Sequence, residues 1–241
     1  MNDDDFLAMP NWYPVLAEHS LPARFMRLRQ EASEHLAASD EVRMSTDREL
    51  IKSTIAELKS LMGSGRYFVS VDTCSPTDTS RFAAKRGAVH SAASAWRYLC
   101  ASEKVRQAAR DGKVKYLCIR PFRTMNLPRE FRLFVRDRRL AGMSQYNLIR
   151  HYFRLDRQLD KYWRKAAEFV DDIAWKLPLS DLVIDVYITS DWRVLVIDLN
   201  CWGEPTDPLL LRRWDRDWDT PTGLLVMPKP CRLNGEVNVS F

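Results

Sequence analysis

Residues 182–210 read "LVIDVYITSDWRVLVIDLNCWGEPTDPLL", and two aspartates, Asp185 and Asp198, interrupt otherwise apolar runs. The runs from Leu182 to Thr189 and from Arg193 to Leu199 flank the short turn "SDW", which predicts a tight antiparallel hairpin. With Asp191 and Trp192 as a two-residue loop, Asp185 and Asp198 stand directly opposite each other. Asn200 shares the face of Asp198, because strand side chains repeat every second residue. Ile184, Val186, Ile188, Leu195, Ile197 and Leu199 then fill the opposite face. Like charges opposed across a sheet are destabilising and raise each other's pKa, so a positive charge is expected between them. A shared arginine or lysine would supply it. So would a hard cation: short oxygen ligands suit magnesium, which takes one or two protein carboxylates and completes its shell with water and phosphate. Spacing alone leaves both open.

Outward from this hairpin, "VKYLCIRPF" from Val114 reads as a strand, and "EFRLFVRDRRLAGMSQY" from Glu130 reads as a second hairpin turning at Asp137 and Arg138. The stretch "STDRELIKSTIAELKSLMGSG" from Ser45 predicts a helix, with Ile51, Ile55, Leu58 and Met62 at helical spacing and Gly63 as its stop. A second helix is expected from about Ser91 to Arg110. A third starts near Asp156 and carries Leu159, Trp163, Ala166, Val170, Ile173 and Leu177 to a stop before Pro178. Helices interleaved with antiparallel hairpins predict an α+β body with more than one sheet.

The composition, 46% hydrophobic and 29% charged over 241 residues, provides for a sizeable core and excludes a disordered chain. Five scattered cysteines without a Cys-x-x-Cys pair point to a reducing compartment and no structural zinc. The acidic opening "MNDDDFLAMP" is unlike a secretory signal, and no apolar run is long enough for a membrane span, so a soluble, cytoplasmic protein without membrane association is expected. The net charge of +5 invites a nucleic-acid reading, but basic residues interleave with acids, as in "RRWDRDWDT", which describes a solvated mixed surface instead. His19, His35, His90 and His151 show no metal-ligand spacing, and "GSG" at residues 63–65 is too short for a Walker loop.

The Asp185-Val-Tyr-Ile run, "VIDLN" and "GEPTDPLL" together resemble the signature of the cell-division-cycle protein 123 family, in which an Asp-x-Tyr hairpin leads into Ile-Asp-Phe-Asn-Pro and a Glu-x-Thr-Asp-x-Leu-Leu tail. Upstream, "EFRLFV" with its later "GMSQ" is similar to that family's Glu-Phe-Arg-x-Phe-Val and Gly-x-Ser-Gln elements. The loop "SPTD", residues 75–78, is similar to its Ala-Pro-x-Asp, and "CRLNGE" matches a C-terminal element. These motifs keep one collinear order from about residue 66 to 215, and that order is more specific than any one of them.

The resemblance implies an α+β, ATP-grasp-like fold, with two lobes of mixed or antiparallel sheet flanked by helices and a nucleotide cleft between them. The divisions it suggests are an N-terminal helical region at 1–64, a smaller lobe at 65–125 and a larger lobe at 126–241 carrying the metal-binding hairpin. It implies ATP and Mg2+ as ligands, with Asp185, Asp198 and Asn200 as the metal set. Arg120, Phe122, Glu130, Ser70 and Asp185 fall at nucleotide positions, and Arg132 and Asp198 would act in catalysis. The sequence departs from the family where Ser70 stands for a lysine, Pro121 for a second lysine and Phe122 for a tryptophan. Each lost charged contact to phosphate costs about 1.5–3 kcal/mol, and Lys85 or Arg86, from the nearby loop, would be candidates to replace them.

Two activities follow from the resemblance. One is an ATP-dependent ligase, in which ATP phosphorylates a carboxylate and a nucleophile displaces phosphate. The other is an assembly chaperone, since eukaryotic relatives bind the γ subunit of translation initiation factor 2; here the partner would be translation-factor-like and the nucleotide a structural ligand. A role with RNA rests on basic charge alone and ranks last.

Overall fold

A computed structural model of the chain describes residues 3–39 and 48–230. Ser45 at the expected helix start, Cys231 and the "CRLNGE" element lie outside the described residues. Two sheets organise the fold: a five-stranded one, antiparallel except for one parallel edge strand, and a three-stranded antiparallel one.

The large sheet grows from the two hairpins read in the sequence. Strands β4 (Glu130–Arg136) and β5 (Arg139–Gln145) join through Asp137 and Arg138, both at positive φ, the geometry of a two-residue hairpin loop whose twist matches the strands. Strands β6 (Leu182–Ile188) and β7 (Val194–Cys201) form the second hairpin, and β6 docks on β4 so that Arg132 pairs with Asp185. The short β8 (Leu224–Leu225) adds in parallel to β5.

One face of this sheet presents Phe131, Leu133, Val135, Ile184, Val186 and Ile188 to helix α9 (Leu159–Ile173), whose Tyr162, Ala166, Phe169, Val170 and Ile173 complete the main core. This helix is the third one expected from the sequence. The other face is apolar only near its far end, where Phe134, Val183, Leu211 and Trp218 cluster with Trp202 and Trp214. Trp202 is therefore a packing residue, 4.7 Å from the ring of Trp218.

The smaller sheet comprises β1 (Arg24–Arg27), β3 (Tyr116–Pro121) and β2 (Tyr67–Val71). Its Met26, Val69, Val71, Leu117 and Ile119 pack beneath helices α3 (Gln30–Ala37), α4 (Arg48–Leu61), α6 (Ala92–Cys100) and α7 (Glu103–Arg110). The single helix expected from Ser91 to Arg110 is thus two. Ser102 breaks it, because its hydroxyl accepts from the Val105 amide and starts α7 as an N-cap. Ser102 in turn donates to Asp78 at 2.6 Å, and Asp78 also accepts from the Lys104 amide, so the "SPTD" loop clamps the start of α7. Thr79 in the same loop caps the short α5 (Ser80–Lys85).

The first helices tie the two sheets together. Leu7, Met9, Trp12 and Leu16, from α1 (Asp3–Leu7) and α2 (Met9–Leu16), are buried in the large-sheet core. Met9 donates its amide to Asp72 at the end of β2, and Ser20 donates its hydroxyl to the Val196 carbonyl on the edge strand β7. The described residues among 1–64 pack into both cores and contribute β1 to the smaller sheet.

Candidate functional site

The polar face of the large sheet carries a row of side chains running across four strands, Ser144, Arg132, Asp185 and Asp198, set side by side by the register. Asp185 and Asp198 are opposed, as the hairpin reading expected, but by another route. The loop holds three residues, with Trp192 at φ 66°, and the Trp192 amide donates to the Thr189 carbonyl. A bulge between Asp185 and Val186 then inserts Ile197 as an extra residue in β7 and restores the pairing. The inward apolar residues of β7 are consequently Val194, Val196 and Leu199, whereas Leu195 and Ile197 are only half-buried, a correction to the expected apolar face.

The two carboxylates are compensated unequally. Arg132 donates Nε to Asp185 Oδ1 at 2.7 Å and Nη2 to Oδ2 at 2.8 Å, a buried bidentate pair, and its Nη1 reaches the Asp207 carbonyl. Tyr146 lies 5.3 Å from this guanidinium, ring over cation, and the neighbouring Asp185 carboxylate and burial hold its hydroxyl pKa up. Asn200 donates Nδ2 to Asp185 Oδ2 at 3.2 Å, which sets it beside the two carboxylates.

Asp198 is less well compensated. Its Oδ1 accepts from the Leu199 amide, and no ion pair reaches it among the described residues. Burial, then the charge of Asp185, push its pKa up to about 7, and the opposing pull of Arg120 does not restore it. Arg120 comes from β3 of the smaller sheet and donates Nη1 to the carbonyl of Ile197, the residue that the bulge freed. Its Nε and Nη2 are buried with no hydrogen-bond partner among the described residues, and burial lowers its pKa. An arginine 6% exposed with two idle donor groups beside a strained carboxylate is costly unless something else completes it.

The remaining expected residues lie on or beside β2, β3 and β4. Glu130, at the start of β4, has its pKa raised to about 6 by burial, against the pull of Arg86 reaching over from the smaller lobe. Arg86 is the C-cap of α5 at positive φ, followed by Gly87, where a Cβ would fall 2.7 Å from the Phe68 ring. Ser70 is buried on β2 opposite Cys118. Phe122, just past β3, is half-buried under the Arg66 guanidinium at 5.1 Å. Cys74 also feels Asp198, and burial raises its thiol to about 12, so it is no thiolate nucleophile. Tyr146, Cys74 and the electrostatic influence of Arg86 on Glu130 arise from long-range placement and were not assigned from the sequence.

Past β7, Asp207 accepts the Leu209 amide at 2.8 Å and organises the turn. Glu204 faces a pocket of about 500 Å³ with Arg212, Arg213 and Trp214 rather than the row of carboxylates. Among the described residues no three His, Cys, Asp or Glu side chains are grouped to hold a metal. A magnesium ion needs fewer protein carboxylates than that.

A solved structure of C-terminally truncated Cdc123 from Schizosaccharomyces pombe matches over 95% of this chain and 98% of its own, with a TM-score of 0.78 and 22% identity, and so shares this fold. The translation initiation factor eIF2 assembly protein of Xenopus tropicalis is 35% identical over 115 residues, 45% of this chain and 34% of that protein. That of Kluyveromyces lactis is 40% identical over 98 residues, 39% of this chain and 26% of that protein. The chain thus spans about a third or less of the length of these curated relatives. The family model described as D123 matches residues 89–216, more than half of the chain and all of the row from Arg120 to Asn200, and the chain belongs to that family.

Proposed function

We propose that the chain binds ATP with magnesium in the cleft between its two sheets and serves in the assembly of a translation-factor complex. The observation that carries the nucleotide reading is Arg120, whose buried Nε and Nη2 have no partner among the described residues and stand beside Asp198. A phosphate oxygen is a fitting acceptor for such donors, and a cation between Asp198 and Asp185 would relieve the burial and mutual repulsion that raise the Asp198 pKa. The donor set Asp185, Asp198 and Asn200 has the hard-oxygen chemistry that magnesium takes. Arg86, across from Glu130, is the cation offered by the smaller lobe, where Ser70 and Pro121 replace the family's lysines. When bound, magnesium would neutralise phosphate charge and orient the nucleotide.

The assembly role draws on the names of the relatives, which are eIF2 assembly proteins. Ligase chemistry is the second reading. It needs an acceptor, and Arg132, which it would use on developing phosphoryl charge, is already engaged by Asp185 and the Asp207 carbonyl. A chaperone keeps its nucleotide, whereas a ligase consumes it. Incubation of the purified protein with magnesium-ATP, with and without recombinant eIF2 γ subunit, separates the two. The expected result is a stable complex with the γ subunit and no stoichiometric ADP formation. ADP formation without complex formation would favour the ligase. The cytoplasm, where translation factors assemble, is the proposed compartment, and no helix among the described residues is long and apolar enough to cross a membrane.

A further inference from the structure

On the large lobe, the loop after β5 starts at Tyr146, whose ring meets Arg132 of the carboxylate row, and leads into α8 (Phe153–Asp156), leaving an unusual surface. Among the described residues, three of the five large hydrophobic side chains left exposed lie between residues 146 and 153: Tyr146 at 38%, Ile149 at 76% and Phe153 at 66%. Phe153 opens onto a groove of about 600 Å³ whose floor and walls include Met125, Leu127, Pro128 and Tyr152, a lining chiefly of apolar surface. The charged groups on its rim are Arg150 and Arg154, and among the described residues no acid lines it. Asp156, at the end of α8, already accepts from His151 Nε2 at 3.2 Å and pairs with Lys229 at 3.1 Å. The buried hydroxyl of Tyr152 has no hydrogen-bond partner among the described residues.

We propose that this groove docks an acidic segment of a partner protein, which inserts an apolar or aromatic side chain beside Phe153 while its carboxylates pair with Arg150 and Arg154. The proposal rests on the partner-binding reading above and locates its surface. Charge complementarity selects an acidic partner, because both rim charges are positive and the local acid is neutralised. The apolar lining selects a polypeptide over a nucleic acid, since a phosphodiester backbone offers arginine its charge but leaves Met125, Leu127 and Pro128 uncovered. Arg150 stacks on Tyr152 at 5.3 Å, which holds its guanidinium at the rim at little further entropic cost.

The test uses the full chain and a fluorescein-labelled peptide of about a dozen residues alternating glutamate with leucine and phenylalanine, followed by fluorescence anisotropy. Saturable binding is expected. It should weaken by about tenfold or more in the doubly substituted Phe153→Ser, Arg154→Glu protein, with magnesium-ATP binding unchanged. Both side chains are exposed, so the variant should fold, and its circular dichroism spectrum checks that. Several outcomes overturn the proposal: no binding of the acidic peptide up to about 1 mM, equal binding by the variant, or tighter binding of a lysine-leucine peptide or a uridine oligonucleotide. So would a chain ending at Pro230 that binds the peptide far more tightly than the full chain, which would give the groove to the chain's own last residues. Failure of magnesium-ATP binding in the same preparations would count against the nucleotide reading alone.

Discussion

Arg120 and Ile197 join the two sheets at the point where β7 departs from regular pairing: the bulge frees the Ile197 carbonyl, and Arg120 Nη1 donates to it at 2.8 Å. One irregular residue thereby brings a cation of the smaller sheet alongside Asp198 of the larger. Bulges recur beside functional sites because they re-aim side chains, and here the bulge both sets the Asp185–Asp198 opposition and anchors the arginine.

Arg120 has two donor groups without partners, so it should contribute more to ligand binding than to folding. In Arg120→Met the loss of the Ile197 contact is offset by removal of a buried, incompletely bonded charge. Stability in urea is expected to change by less than about 1 kcal/mol, while magnesium-ATP affinity falls at least about tenfold. A large loss of stability with affinity retained would make Arg120 a structural residue.

The Arg132–Asp185 pair should behave in the opposite way. Arg132→Ala strands a buried carboxylate and is expected to cost about 3–5 kcal/mol, whereas replacing both partners by apolar residues of similar size should recover most of that loss. Urea denaturation of the two single variants and the double variant measures the coupling. Arg132→Lys should not rescue, because an ammonium cannot make the two parallel hydrogen bonds seen here.

Asp72 provides a pH signature. Burial raises its folded pKa from 3.8 to about 6, against hydrogen bonds from the Lys115 amide and other backbone groups. The folded state therefore holds this proton more tightly than the unfolded chain does. The contribution favours folding below about pH 4, is lost as pH rises to about 6, and is flat above, with an amplitude of up to about 3 kcal/mol. The stability difference between the wild type and Asp72→Asn, measured in urea from pH 4 to pH 7, should move in the variant's favour over that window. A constant difference would contradict the assignment.

Gly87 should not tolerate a side chain. At φ +77° an alanine is strained, and its Cβ would fall 2.5 Å from the Tyr98 hydroxyl and 2.7 Å from Phe68. Gly87→Ala is expected to cost about 1–3 kcal/mol and to shift the preceding Arg86, weakening its pull on Glu130. Thermal melting reads the first effect, and a weakened magnesium-ATP affinity would read the second.

The hairpin shows what was legible in the sequence and what was not. Alternation in β6 and the turn residues were enough to oppose Asp185 and Asp198. The three-residue loop was not, because Trp192 adopts positive φ without a glycine or asparagine to announce it. The extra loop residue and the bulge at Ile197 shift the register in compensating directions, so the aspartates pair as read while the apolar face of β7 does not. The break at Ser102 was visible as a capping serine, yet periodicity from Ala92 onward concealed it. Arg132 was a candidate from the family motif. Its bond to Asp185 depends on β4 lying beside β6, a contact across 53 residues that local patterning does not encode.

The most direct test is calorimetric titration of ATP into the wild type and Asp198→Ala, with and without magnesium. The account predicts magnesium-dependent binding by the wild type that the substitution abolishes, with both proteins folded. Equal binding by the two proteins, or none by a folded wild type at millimolar ATP, would contradict it.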